Sequence, residues 1–223
     1  MFPLRDTQPS DSKPIVTILL IVLNVLVFLF EFSLDPYTHN AFISTYGMVP
    51  DRLTVSSVFT SMFLHAGWFH VLGNMWFLWI FGDNIEDILG HGKFLLFYLL
   101  CGVAAALAQY FFDPFSRIPV VGASGAIAGV MGAYMVKFPR ARIVTFIFVF
   151  LFFTTIEIPA WAMLIYWFFL QLVGGFDSMA SSLYSRGGGT AFLAHVGGFL
   201  AGMALVLLLG TRQRYYNRRD LSW

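Results

Sequence analysis

Four polar side chains stand in segments that are otherwise apolar, and their types suit acyl transfer. Ser124 lies in Gly122-Ala-Ser-Gly125, His195 in Ala194-His-Val-Gly-Gly198, and His70 and Asn74 in His65-Ala-Gly-Trp-Phe-His70-Val-Leu-Gly-Asn74. A serine hydroxyl is a weak nucleophile until a base takes its proton, and histidine titrates in the range that lets it be that base. The oxyanion formed on attack needs preorganised donors. His70 and Asn74 are four residues apart, so they share one helix face, and both can donate. The Ser124 amide adds a third donor if a helix starts there, because the first amides of a helix have no intrahelical partner. The catalytic candidates are therefore Ser124 and His195, with His70, Asn74 and the Ser124 amide stabilising the oxyanion.

The elements that carry these residues belong in a bilayer. Of 223 residues, 58% are apolar and 11% charged, with a mean hydropathy of +0.76; a soluble domain carries about 25% charged residues. Apolar segments cover 15–33, 69–89, 92–111, 123–138, 159–175 and 191–210. They predict an all-α fold of six transmembrane helices, with a long first outer loop over 34–68. The first run is long for a signal peptide, and no small-x-small cleavage site follows it. Residues 1–14 read as a cytoplasmic tail, 15–210 as one membrane domain, and 211–223 as a basic cytoplasmic tail. Residues 174–190 read as a second loop, made mobile by Gly187, Gly188 and Gly189. The net charge of +1 gives no sign of a nucleic-acid partner, and Cys101, the only cysteine, excludes an intrachain disulfide.

With six spans, both termini share a side with the turns near 90–92 and 138–143. That side holds 10 of the 13 basic residues, so both termini are expected in the cytoplasm. His70, Asn74, Ser124 and His195 then all fall near the outer starts of the second, fourth and sixth spans, at one depth. Ionisable groups there are costly and face the bundle interior for a reason. Gly125 and Gly129 on the fourth span, and Gly198 and Gly202 on the sixth, recur at helical spacing and predict close helix approach. Gly122 belongs to the same small-residue set. The fourth span is short, about 22 Å against a core of about 30 Å, which sets Ser124 below the outer face. Each piece also has a plain structural reading: Ser124 as a packing residue, His70 with Asn74 as an interhelical pair, His195 as a satisfied core or relay histidine. Jointly, that reading must put four polar groups at one depth by accident. His65 is expected to organise the loop by hydrogen bonding.

The ordered motifs His70-x-x-x-Asn74, Gly122-Ala-Ser124-Gly125 and Ala194-His195-x-x-Gly198, with Gly202 beyond, closely resemble the rhomboid family. The resemblance runs over about 15–210. It implies a Ser124–His195 dyad without a third acidic member, and an oxyanion hole of His70, Asn74 and the Ser124 amide. It also implies cleavage of transmembrane protein substrates that enter laterally near the second and fifth helices, at small side chains near the outer face. No metal or organic cofactor belongs to that picture. The apolar segment 143–158 is then expected to be re-entrant or interfacial, since a separate crossing would send His195 to the side opposite Ser124. Two positions depart from the family: Ala128 stands where a Tyr often packs on the histidine, and Ser56-Ser57 where a Trp-Arg pair often anchors the first loop.

The competing function is a catalytically inactive rhomboid relative that binds transmembrane clients in quality control; loss of Ser124 or His195 would favour it, and both are present. A transporter or proton channel with His70 and His195 as relay groups would be expected to show repeat symmetry or more acidic groups at mid-membrane, and the sequence shows neither. Neither a His-Glu-x-x-His zinc motif nor a Gly-x-Gly-Asp aspartyl motif occurs. Small size points to a prokaryotic inner membrane.

Overall fold

The computed structural model describes residues 2–149, 152–182 and 191–211, with side chains described except at 149, 152 and 175–182. The helix α1 (Ile15–Ser33) shows what solvent the fold faces. Thr17, Leu20, Asn24, Phe28 and Glu31, spaced by three or four, are its buried face, while Leu19, Val22, Leu26, Phe30 and Phe32 are exposed. Polar groups inward and apolar groups outward is the reverse of a water-soluble amphipathic helix. By length and hydropathy α1 and α5 (His91–Phe112) can each cross a bilayer, and among the described residues Ala160–Gly174 and Phe192–Leu208 are shorter apolar helical stretches.

The second long helix, α4 (Trp68–Leu89), ends in a buried acidic pair that seats α1. Glu86 accepts from the Val16 amide (2.8 Å) and the Thr17 amide and hydroxyl (2.7 Å each). Asp87 accepts from the Asp11 and Ser12 amides, each at 2.9 Å, and from the Ser12 hydroxyl. Helix-start amides lack intrahelical acceptors and carry positive partial charge, so a carboxylate is the natural partner.

At the centre is α6 (Ser124–Lys137), buried along Gly125–Tyr134. It packs on α8 (Phe192–Leu208), α5 and α4, and also touches α7 (Ala160–Ser182). The approach to α8 is backbone on backbone: a β-carbon built on Gly198 would lie 2.0 Å from the Gly125 carbonyl oxygen, and one on Gly202 1.9 Å from that of Gly129. Only glycine admits such contact. Tyr98, Phe94, Phe97, Phe81, Tyr134 and Phe199 fill the core around this seam.

The first loop is largely helical. It contains α2 (Pro36–Tyr46), capped by Asp35, and α3 (Val55–Thr60), closed by a Thr54–Ser57 capping box. Backbone bonds between Met48 and Val120 (3.0 and 2.8 Å), and from the Gly122 amide to Ser61 (2.8 Å), tie it to the approach of α6. These bonds anchor the loop on either side of α3.

The expectation of an all-α fold needs one correction. The described residues of 143–158 are extended rather than helical: β2 (Arg142–Val149) pairs antiparallel with β3 (Phe152–Pro159). Its other neighbour is β1 (Phe2–Asp6), from the segment expected to be a free tail, in the order β1-β2-β3. Ile143 and Thr145 face inward and are buried, while Phe146, Phe148 and Phe153 face outward. This alternation is the period of a strand with one covered face. Trp76 Nε1 of α4 donates to the Pro3 carbonyl at 2.7 Å, Tyr134 of α6 donates to Asp6 at 2.5 Å, and Thr145 lies against Met163 of α7. The sheet thus bridges α4 and α7 across α6. α7 continues to Ser182, past the expected start of a loop at 174; the glycines at 187–189 and the tail from 212 lie outside the described residues.

Candidate active site

Ser124 is the first residue of α6, so its amide has no carbonyl to bond within the helix. Gly122 sets the turn that starts the helix, at φ +126°, a backbone region L side chains rarely adopt. Beneath the serine, the glycine seam draws α8 close enough for His195, on its first turn, to reach across. Ser124 Oγ and His195 Nε2 are 2.7 Å apart. On the far side of the ring, His195 Nδ1 lies 2.8 Å from Gln171 Oε1 of α7. Trp167, one turn before Gln171, packs on the imidazole with ring centres 5.9 Å apart. His195 is 8% exposed, and Ser124 keeps part of its surface open.

The donors come from α4. His70 Nδ1 accepts from the Ala66 amide at 3.3 Å, so a neutral ring carries its proton on Nε2. That nitrogen points at the turn: a β-carbon built on Gly122 would lie 2.7 Å from His70 Nε2 and 3.6 Å from Asn74 Nδ2. Gly122 therefore does not pack helices, as grouping it with the small-residue stripe implied; it clears the space between the donors and the approach to Ser124. Asn74 is buried, and among the described residues its amide nitrogen has no hydrogen-bond partner. A buried unpaired donor costs about 1–3 kcal/mol, a cost that a site gains back when an anionic oxygen arrives there. His65 stands behind His70, ring centres 5.1 Å apart, and its amide donates to Glu31 at 3.1 Å. Burial, with His70 adjacent, lowers the His65 pKa to about 4, so this ring is neutral.

The structure brings Ser124 to His195, and His70 and Asn74 to the turn two residues before Ser124. Gly125, Gly129, Gly198 and Gly202 lie in the α6–α8 seam, and His65 remains in the shell behind. The model for the rhomboid domain matches residues 52–212. The chain belongs to the rhomboid family. It is 32% identical over 138 residues, 59% of the chain, to the rhomboid protease GluP of Bacillus subtilis, covering 27% of that protein. It is 29% identical over 151 residues, 66% of the chain, to the mitochondrial rhomboid protein 1 of Saccharomyces cerevisiae, covering 40% of it. A third relative is the human mitochondrial presenilin-associated rhomboid-like protein, 35% identical over 94 residues, which are 41% of the chain and 25% of that protein. The match thus spans a quarter to two fifths of these relatives' lengths. In this rhomboid the residues that touch the histidine from behind, Gln171 and Trp167, escaped the sequence reading. The available signal was a lone amide in an apolar span, Gln171, where a polar group is expensive.

Proposed function

We propose that the protein is an intramembrane serine endopeptidase using Ser124 as nucleophile and His195 as general base. The observation that carries the reading is the 2.7 Å contact between Ser124 Oγ and His195 Nε2, beside a buried Asn74 amide nitrogen with no partner among the described residues. The Ser124 proton passes to His195 Nε2 as Oγ attacks the scissile carbonyl carbon. The carbonyl oxygen becomes an oxyanion held by His70 Nε2–H, Asn74 Nδ2–H and the Ser124 amide. Collapse expels the amine, which takes the proton from His195, and water then hydrolyses the acyl-enzyme by the same relay. No acidic third member is invoked.

The substrates of this reading are transmembrane segments of other proteins, reaching the site from the lipid. The helices α1, α4, α5, α6, α7 and α8 are its six spans, with both termini in the cytoplasm of a prokaryotic inner membrane. Support comes from the outward-facing apolar surface of α1 and from Arg5, Lys13, Lys93, Lys137, Arg140 and Arg142, which among the described residues lie on the side of the sheet.

The test is labelling by a fluorophosphonate probe, with cleavage of a transmembrane peptide followed in parallel. Wild type is expected to label and cleave, and Ser124→Ala and His195→Ala to do neither while keeping the wild-type melting temperature. Cleavage retained by either folded variant would overturn the mechanism. A folded wild type that neither labels nor cleaves would favour the client-binding reading instead.

A further inference from the structure

A histidine can act as base toward Ser124 only if Nε2 carries a lone pair, which requires the ring proton on Nδ1. Whatever contacts Nδ1 therefore decides whether the ring is competent. Here that contact is Gln171 Oε1, at 2.8 Å. An amide can present either its oxygen or its nitrogen, and only the oxygen selects the competent tautomer. The orientation is fixed by the other end of the same group: Gln171 Nε2 donates to the Trp167 carbonyl one turn back, at 3.4 Å. With the nitrogen engaged there, the oxygen faces the histidine. Both partners are at least nine-tenths buried, so water is a poor substitute for either. Ala128, a fully buried methyl, offers the ring no polar contact from α6.

We propose that Gln171 is the positioning residue of the dyad: its carbonyl, aimed by the Trp167 backbone, holds His195 as the Nδ1–H tautomer and turns Nε2 to Ser124. Trp167 completes the seat by packing at a tilt against the ring, and the same side chain packs at a tilt against Phe199, one turn beyond His195 on α8. The seat belongs to α7, a different helix from those that carry the serine and the histidine. The acceptor is neutral. It orients the ring and fixes its proton, but brings no negative charge to offset the imidazolium formed during attack. This rests on the reading of Ser124 and His195 as the reacting pair.

Two measurements on the full-length protein in one detergent test it. The first does not depend on proteolysis. With 15N-histidine labelling, and the His195 signals assigned by their loss in His195→Ala, wild type is expected to show one tautomer, protonated at Nδ1 and bare at Nε2. Gln171→Leu is expected to show a mixture. An Nε2–H ring in wild type, or an unchanged ring in folded Gln171→Leu, overturns the proposal. The second is turnover of a transmembrane peptide. General-base catalysis contributes about 10²–10⁴ in rate, so Gln171→Leu is expected to lose roughly 30- to 100-fold in kcat with KM within about twofold. Gln171→Glu, with an acceptor at the same reach, is expected to recover most of that loss, and Gln171→Asn, one methylene shorter, to recover little. A loss confined to KM, or no recovery in Gln171→Glu, would mean that Gln171 only packs. Cleavage by Ser124→Ala would instead sink the dyad, while the tautomer measurement would still judge Gln171.

Discussion

At the scale of residues, the proposed oxyanion donors and the proposed nucleophile owe their arrangement to two different devices. Ser124 is aimed by a backbone event, the positive-φ turn at Gly122, whereas His70 is aimed by one hydrogen bond from the Ala66 amide to Nδ1. That bond does for His70 the opposite of what Gln171 does for His195, leaving a proton on Nε2 in one ring and a lone pair in the other. Among the described residues Asn74 has no such tether at its amide nitrogen, so in the proposed reaction its donor is free for an oxygen that becomes anionic only along the reaction path. Interactions made only in the transition state appear in kcat rather than KM. Asn74→Ala is therefore expected to lower kcat by about 10²-fold, as removal of one oxyanion donor does elsewhere, with KM nearly unchanged. Steady-state kinetics on a transmembrane peptide checks this, and an effect confined to KM would remove Asn74 from the oxyanion hole. Ser124, His195, His70 and Asn74 stood out in the sequence because each is a costly polar group in an apolar run, and their order puts them at one expected depth. Gln171 carries the same signal, but its partner is the far nitrogen of a ring on another helix. No spacing within one segment encodes that contact.

At the scale of elements, long apolar runs marked the helices, and the observed α1 and α4 to α8 begin within about a residue of where those runs begin. The sheet was hidden for two reasons. Its hairpin is almost wholly apolar and has no Asn-Gly or Asp-Gly turn to announce it. Its first strand pairs with residues some 140 positions away, so nothing local distinguishes Phe2–Asp6 from a tail. What holds that strand down is partly electrostatic. Tyr134 donates to Asp6, the Arg5 charge acts on it, and Asp83 of α4 lies close enough to feel its charge. Burial pushes the Asp6 pKa from 3.8 to about 6. The docked strand thus binds the proton more tightly than the free one. Its contribution is fully present below the free value and is lost as pH rises through about 6. The full difference between the two protonation states is roughly 3 kcal/mol, and partial exposure of Asp6 makes the realised effect smaller. Amide exchange over residues 2–8, corrected for intrinsic rates, is expected to be faster at pH 8 than at pH 5. Asp6→Asn, which keeps an acceptor for Tyr134, is expected to flatten the difference. Equal protection of wild type at both values would show that the strand is held by packing alone.

At the scale of the whole molecule, the distribution of polarity decides orientation. The glycine seam, the acidic seat for α1 and the sheet would serve equally well in a chain inserted either way round. The charges would not: among the described residues Arg5, Lys13, Lys93, Lys137, Arg140 and Arg142 lie on the side of the sheet, and Arg52 and Arg117 on the side near Ser124. Cytoplasmic loops retain positive charge, so the sheet is expected to face the cytoplasm and the first loop the opposite side. The chain suits a direct test, because its single cysteine, Cys101, is fully buried in α5 and should give little background. Ser56 is exposed on α3 in the first loop. Gly92 is exposed at the start of α5, where a β-carbon meets nothing within 4 Å. In right-side-out vesicles a membrane-impermeant maleimide is expected to label Ser56→Cys at once, and Gly92→Cys only after the membrane is permeabilised. The reverse pattern would invert the molecule, move the Ser124 opening to the cytoplasmic face, and hand the enzyme a different set of substrate ends. Labelling of both without permeabilisation would break the parity that keeps Ser124, His195 and the α4 donors at one depth, and with it the six-span reading.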